Sequence, residues 1–123
     1  MPTLNDRVFD NGLTVLDTEA NRIDITSTEA TTYAEATSTL SLGNSTSLSI
    51  GAPADRAGGG REVTVAAITD GTVTATGTAG FYAIVDTVNS RLLATQALTA
   101  SQAVTNGNTF TASSFTIGIP DPA

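Results

Sequence analysis

The chain of 123 residues carries a net charge of −7, with 40% hydrophobic and 14% charged residues. That length suits one domain with a modest core, and the acidic balance disfavours a nucleic-acid partner, because nothing supplies the counterion release that drives phosphate-backbone binding. Cys, His, Trp and Lys are absent, and the basic residues are Arg7, Arg22, Arg56, Arg61 and Arg91; disulfides, thiolate metal sites, thiol catalysis and imidazole proton transfer are thereby excluded.

The opening Met1-Pro2-Thr3-Leu4-Asn5-Asp6-Arg7 has no basic stretch followed by an apolar core, which reads as a cytosolic start. No apolar run approaches the roughly 20 residues of a bilayer span, so no membrane is expected. Residues 4–19 read as the only substantial helix. Leu4, Val8, Phe9, Leu13 and Leu16 fall on one helical stripe, with Asn5 or Asp6 as its cap. Gly12 weakens that helix by about 1 kcal/mol, and a hairpin around Asn11-Gly12 is the rival reading.

From Asn21 the period changes to two. Ile23 and Ile25 alternate with Asp24 and Thr26, which predicts a short strand with one wet face. Residues 29–38 are ambiguous, with Thr32 able to cap a turn of helix containing Tyr33 and Glu35. Leu40 and Leu42, then Leu48 and Ile50, mark one or two strands around Gly43-Asn44. Ala52 to Gly60 is expected to be a loop, since Pro53 and the Gly58-Gly59-Gly60 run remove regular structure, and a strand restarts at Arg61.

Val63 and Val65 then alternate with Glu62 and Thr64, and Thr69-Asp70-Gly71 is read as a turn. Val73, Ala75, Gly77 and Ala79 share one face against Thr72, Thr74, Thr76 and Thr78. Phe81 to Asp86 is more continuously apolar, as near a sheet centre. Val88-Asn89-Ser90 turns the chain into a strand from Arg91 to Ala97. A polar connection ends at Asn106-Gly107-Asn108, and Thr109 to Ile119 is read as one last strand with Phe115, Ile117 and Ile119 on one side. Thr, Ser, Ala and Gly form about half of the chain, and β-branched threonine suits a pleated, half-buried surface. The expected fold is mainly β: a single-domain antiparallel sandwich or barrel of about seven or eight short strands with one N-terminal helix. Its parts are a helical segment over 1–20, a β-rich body over 21–119 and a Pro-rich tail over 120–123 that cannot continue a ladder.

Little in this chain reads as chemistry. Asp17, Glu19, Asp24, Glu29 and Glu35 cluster in sequence, but without the aromatic platforms of a glycan-cleaving site they read as solvated surface. Asp70-Gly71 and Asp10-Asn11-Gly12 are isolated turn dipeptides and not a calcium loop. Gly58-Gly59-Gly60-Arg61 lacks the Lys-Ser/Thr pair of a phosphate loop and precedes a strand. Serines and threonines abound, but no His or Lys is present to activate them. No cofactor, no metal and no catalytic residue is expected. The candidate contact residues are Arg56, Arg61, Gly58, Gly59, Gly60 and Tyr33, with the arginines on a loop able to dock on an acidic partner.

The segment Thr31-Thr32-Tyr33-Ala34-Glu35-Ala36-Thr37-Ser38-Thr39-Leu40-Ser41-Leu42-Gly43 resembles a run found in small proteins encoded among the head genes of tailed bacteriophages. So does Gly60-Arg61-Glu62-Val63-Thr64-Val65-Ala66-Ala67-Ile68-Thr69-Asp70-Gly71. Leu92-Leu93-Ala94-Thr95 and Gln102-Ala103-Val104-Thr105-Asn106-Gly107-Asn108-Thr109-Phe110 continue the resemblance in the same order. It implies a capsid decoration (cement) protein, a non-enzymatic structural component of the virion that binds the capsid exterior after assembly in the host cytoplasm. The implied partners are the major capsid protein and further copies of the chain, a trimer being one arrangement. A head-fibre or tail-associated host-surface glycan-binding module is the alternative, and a tail or connector component a second one. A glycan module would be expected to show a concave site with exposed aromatics or bound calcium.

Overall fold

The computed structural model describes residues 3–4, 12–57 and 61–119. They form an antiparallel β sandwich of a seven-stranded and a three-stranded sheet, not closed into a barrel. The strands are β1 (Thr3–Leu4), β2 (Arg22–Thr26), β3 (Ser41–Ser45), β4 (Ala54–Asp55), β5 (Arg61–Val65), β6 (Ile68–Val73), β7 (Gly77–Asp86), β8 (Arg91–Val104), β9 (Thr109–Ala112) and β10 (Phe115–Ile119). The large sheet runs β1-β8-β7-β2-β3-β6-β9 and the small one β10-β5-β4. Strands outnumber the sequence expectation because β1 and β4 are two-residue pairings with no periodicity to read, and because the last expected strand is two. At Ser113-Ser114 the chain leaves the large sheet as β9 and enters the small one as β10.

The expected long helix is replaced by something shorter. Thr3 and Leu4 pair with Thr95 and Ala94 as β1, and helix α1 spans only Thr14–Glu19. Gly12 adopts φ +69°, a left-handed conformation that stops a helix from running through it. Val8, Phe9 and the expected caps Asn5 and Asp6 lie outside the described residues. Within α1, Val15 and Leu16 are buried, and Leu13 just before it joins them in the core.

Between the sheets, Val63, Val65 and Ile117 of the small sheet meet Ile23, Ile25, Ile84 and Leu93 of the large one in a single apolar cluster. A strand's side chains alternate between faces, so residues adjacent to these point outward. On that outer face Ala83 and Val85 of β7 pack with Ala30 and Ala36, flanked by Tyr33, Leu40 and Leu92. The segment after β2 folds back as a π-helical turn, Glu35–Thr39, to cover them. Its entry is capped as the sequence suggests: the Thr32 hydroxyl accepts from the Glu35 N–H at 3.1 Å. The Glu35 carboxylate in turn accepts from the Thr31 N–H at 2.8 Å and hydroxyl at 2.6 Å.

That cover overturns the expectation of a wet face on β2. Asp24 and Thr26 are as buried as Ile23 and Ile25, because the 28–40 segment lies where solvent was expected. The turn expected at Thr69-Asp70-Gly71 is strand interior, within β6, and Gly43-Asn44, around which one or two strands were expected, lies inside a single one, β3. In each the glycine is needed for close approach. A Cβ on Gly43 would stand 2.5 Å from the Thr72 carbonyl, and one on Gly71 2.3 Å from the Phe110 ring. The strand expected at Leu48–Ile50 is reduced to one bridge, Ile50 to Val65. Residues of the 52–60 loop make β4, which pairs with Arg61 and Glu62. Other readings stand: the strand restart at Arg61, the turn at 87–90, the apolar β7, and Phe115, Ile117 and Ile119 on one side.

Candidate functional site

Of the carboxylates read as solvated surface, Glu19, Asp24, Glu29 and Glu35 are engaged in separate structural contacts. Arg22 and Asp24 stand two residues apart on β2, hence on one face. The guanidinium donates from Nε to Asp24 Oδ1 at 2.7 Å and from Nη2 to Oδ2 at 2.8 Å. The Ser41 hydroxyl donates to the same Oδ2 at 2.6 Å, and the hydrogen bond to Asp24 raises the Arg22 pKa further above its ordinary value. Glu19 pairs with Arg91 at 3.4 Å, and Glu29 accepts from the Thr95 hydroxyl at 3.2 Å. At the end of β7, Asp86 accepts from the Val88 N–H, the Asn89 N–H and Asn89 Nδ2 at 2.9, 3.3 and 2.8 Å. Burial opposes its ionisation, but these hydrogen bonds and the charge of Arg91 outweigh burial and hold its pKa below the ordinary carboxylate range.

Arg56 and Arg61 do come together, on the hairpin of β4 and β5 at one edge of the small sheet. Arg61 donates from Nη1 to Asp55 Oδ1 at 2.6 Å and from Nη2 to the Pro53 carbonyl at 3.0 Å. Its side chain stays 55% exposed and that of Asp55 96%. The stem of Arg56 lies over Gly118 of β10, whose missing Cβ leaves room for it. Gly58, Gly59 and Gly60 lie outside the described residues. Tyr33 is not part of this hairpin; it packs against the outer-face cluster beside the π-helical turn.

Sequence reasoning missed a cleft of about 310 Å³ between β8 and the β9–β10 crossover, floored by Ile23, Ile25 and Tyr82. In the large sheet β8 and β9 are separated by β7, β2, β3 and β6, so flanking one cleft requires that sheet to curl. On the β8 side, Ala79 pairs with Gln102 and Phe81 with Ala97, leaving Gly80 opposite the bulged 98–101 segment. Leu98 and Ala100 of that bulge line the cleft. Tyr82 donates its phenol to Gln96 Oε1 at 3.0 Å, and its ring centroid lies 4.5 Å from that of Phe115 at an interplanar angle of 37°. Burial pushes the Tyr82 phenol pKa up, so it acts as a hydrogen-bond donor at neutral pH. Tyr82 and Phe110 are only 6% and 4% exposed. Among the described residues no charged side chain lines this cleft; what it can do is accept apolar or neutral polar groups. The signal that could have found it is the joint placement of Tyr82, Phe110 and Phe115 within sequence that lacks charge.

Fold and site define an antiparallel β sandwich with an uncharged, aromatic-floored cleft and one charged hairpin edge. No family model, no curated protein and no solved structure matches this chain.

Proposed function

We propose that this protein is a non-enzymatic structural module that acts by occupying surface on a larger assembly, and that the assembly is a tailed-phage head, on whose exterior it serves as a decoration (cement) protein. The observation that carries this reading is the state of its polar groups. Among the described residues no buried side-chain nitrogen or oxygen lacks a partner, and the buried Asp24 and Asp86 hold the protein's own strands and turns. Catalytic sites keep groups poised to titrate in a cleft, whereas among the described lining residues the titratable group, Tyr82, is pushed by burial away from the neutral range and stays protonated. The resemblance of the 31–43, 60–71, 92–95 and 102–110 segments to phage head-gene products supports the choice of assembly.

The shell-facing contact in this reading is the β4–β5 hairpin, where Arg61 is exposed. A ligand that binds only the assembled shell stabilises it by RT ln(1 + [L]/Kd) per site, and repetition over the shell multiplies a modest local term. The test is addition of purified protein to decoration-free capsids. Stoichiometric binding with a raised capsid melting temperature is expected; capsids that bind none of it, or melt unchanged, overturn the reading.

One observation favours the glycan-binding alternative, namely the concave cleft itself. Against it, the Tyr82 and Phe110 rings are too buried to offer an open face to a sugar. Binding to host envelope glycans in place of capsids would favour that alternative.

A further inference from the structure

Charge is unevenly spread over this chain. From Leu92 to Ile119 the sequence contains no Asp, Glu, Lys or Arg, and this run forms nearly all of β8 and the whole of β9 and β10. Its exposed residues Gln96, Ala97, Ala100, Gln102, Thr111 and Ser114 border the cleft. Among the described residues the result is a side that is neutral along β8, β9 and β10, with the exposed Asp70 of neighbouring β6 at its margin, on a molecule of net charge −7.

The sheet edges differ in the same way. Natural edge strands resist pairing by carrying charge or proline. On one edge of the small sheet, Gly51 N–H bonds the Thr64 carbonyl and Ala54 pairs with Glu62, so the chain from Gly51 to Asp55 follows β5. It carries Pro53 and the solvent-facing Asp55, both of which discourage a further strand. The opposite edge, β10, and the β9 edge of the large sheet carry neither safeguard. No described strand pairs with the outer side of either. Because β9 passes directly into β10, the two unguarded edges are continuous and meet at the cleft.

We propose that this neutral side is where a second copy of the chain docks, with β9 against β9 across a two-fold axis. The occupant follows from charge. Two copies of an acidic protein repel wherever their carboxylates face each other, and like charges placed together across an interface oppose association. The neutral side is the surface on which identical copies meet with little of that penalty, since a β9-to-β9 contact keeps the Asp70 carboxylates of the two copies one strand back from the seam, and charge depletion characterises the centre of protein interfaces. A two-fold contact also lets one strand satisfy its own twin, joining two seven-stranded sheets into one. The cleft beside β9 then receives side chains of the partner copy. This inference does not depend on which assembly the protein joins.

Sedimentation equilibrium on the wild type, Thr111→Glu and Ser49→Glu tests it. Both variants add one negative charge at an exposed position, but only Thr111 lies on β9. The wild type and S49E are expected to dimerise alike, while T111E weakens the dimer at least about tenfold, the effect of 1.4 kcal/mol. Thermal melts establish that the variants are folded; if T111E is not, Ser114→Glu, in the crossover outside the ladder, replaces it. A wild type that stays monomeric up to its solubility limit, or forms a trimer, overturns the proposal. So do equal weakening by S49E and a T111E dimer of unchanged affinity, including the case in which the cleft instead binds a glycan or a partner's strand. Capsid binding by a strict monomer would sink this inference and leave the proposed function standing.

Discussion

Asp24 is completely buried on β2, and its carboxylate is clasped by both Nε and Nη2 of Arg22, two residues earlier on the same strand. A buried charge is tolerable only when paired and hydrogen-bonded, and the Ser41 hydroxyl from neighbouring β3 completes the shell. This small network ties two central strands of the large sheet beneath the 28–40 cover.

Removing either partner should therefore cost much of what removing both costs. Asp24→Ala strands a guanidinium that is 23% exposed, so water compensates in part and the loss should be about 2–3 kcal/mol, below the usual range for breaking a fully buried pair. The Arg22→Ala/Asp24→Ala double variant should lose less than the sum of the single variants. Urea denaturation of the three proteins measures both quantities; strict additivity would show that the pair is not coupled.

The glycines under Phe110 yield a second expectation. Gly71→Ala drives a methyl group into the Phe110 ring, and Gly43→Ala drives one against the Thr72 carbonyl. Each should destabilise by about 1–3 kcal/mol, the usual range for overpacking. Gly51→Ala, with open space at its Cβ, is the control and should be near neutral. Combining G71A with Phe110→Leu should recover part of the G71A loss, since the clash is with the ring. Thermal melting of the set decides it; G71A as benign as G51A would refute the packing account.

Acid should loosen the β7–β8 turn through Asp86. Its folded-state pKa lies below the ordinary value, so the unfolded chain binds its proton first as pH falls. The stabilisation from this group is complete above the ordinary carboxylate pKa of about 3.9 and is lost as the pH drops toward the lower folded-state value. Asp86→Asn should be less stable than the wild type at neutral pH and show a shallower loss of stability in that acidic window. Urea midpoints measured against pH test the sign. Glu35, held low chiefly by the Thr31 hydroxyl and N–H, contributes in the same direction, so Glu35→Gln belongs in the series.

At the hairpin edge, stability and binding should separate. The Arg61–Asp55 pair is exposed, and such pairs contribute about 0–1 kcal/mol, so Arg61→Glu should barely change the melting temperature of the isolated protein. Its addition to capsids should weaken markedly, with the wild-type advantage shrinking as salt rises. Capsid binding titrations at low and high ionic strength check this; an R61E protein that binds as well as the wild type removes the hairpin from the contact surface.

The sequence by itself determined the fold class and much of its punctuation. Alternation at Val63 and Val65, the apolar run into Asp86, the Thr32 cap and the turn before Arg91 all depend on neighbours within a few residues, and such local preferences are legible without a partner. It also marked Pro53 and the glycine run as breaks before the strand that restarts at Arg61, but the pairing of Ala54 and Asp55 with Glu62 and Arg61, which turns the expected loop into a hairpin, came only with the tertiary structure. Tertiary structure alone decided which side of β2 is dry, since the cover over Asp24 comes from a segment whose own pattern is ambiguous. It likewise decided that Gly43 and Gly71 sit inside strands: Asp70-Gly71 favours a turn locally, but the Phe110 ring and the Thr72 backbone, distant in sequence from one or other glycine, need the space they leave. The cleft was out of reach for the same reason. Tyr82, Gln96, Phe110 and Phe115 belong to different strands, and only the curl of the large sheet and the sheet switch at Ser113-Ser114 bring them together.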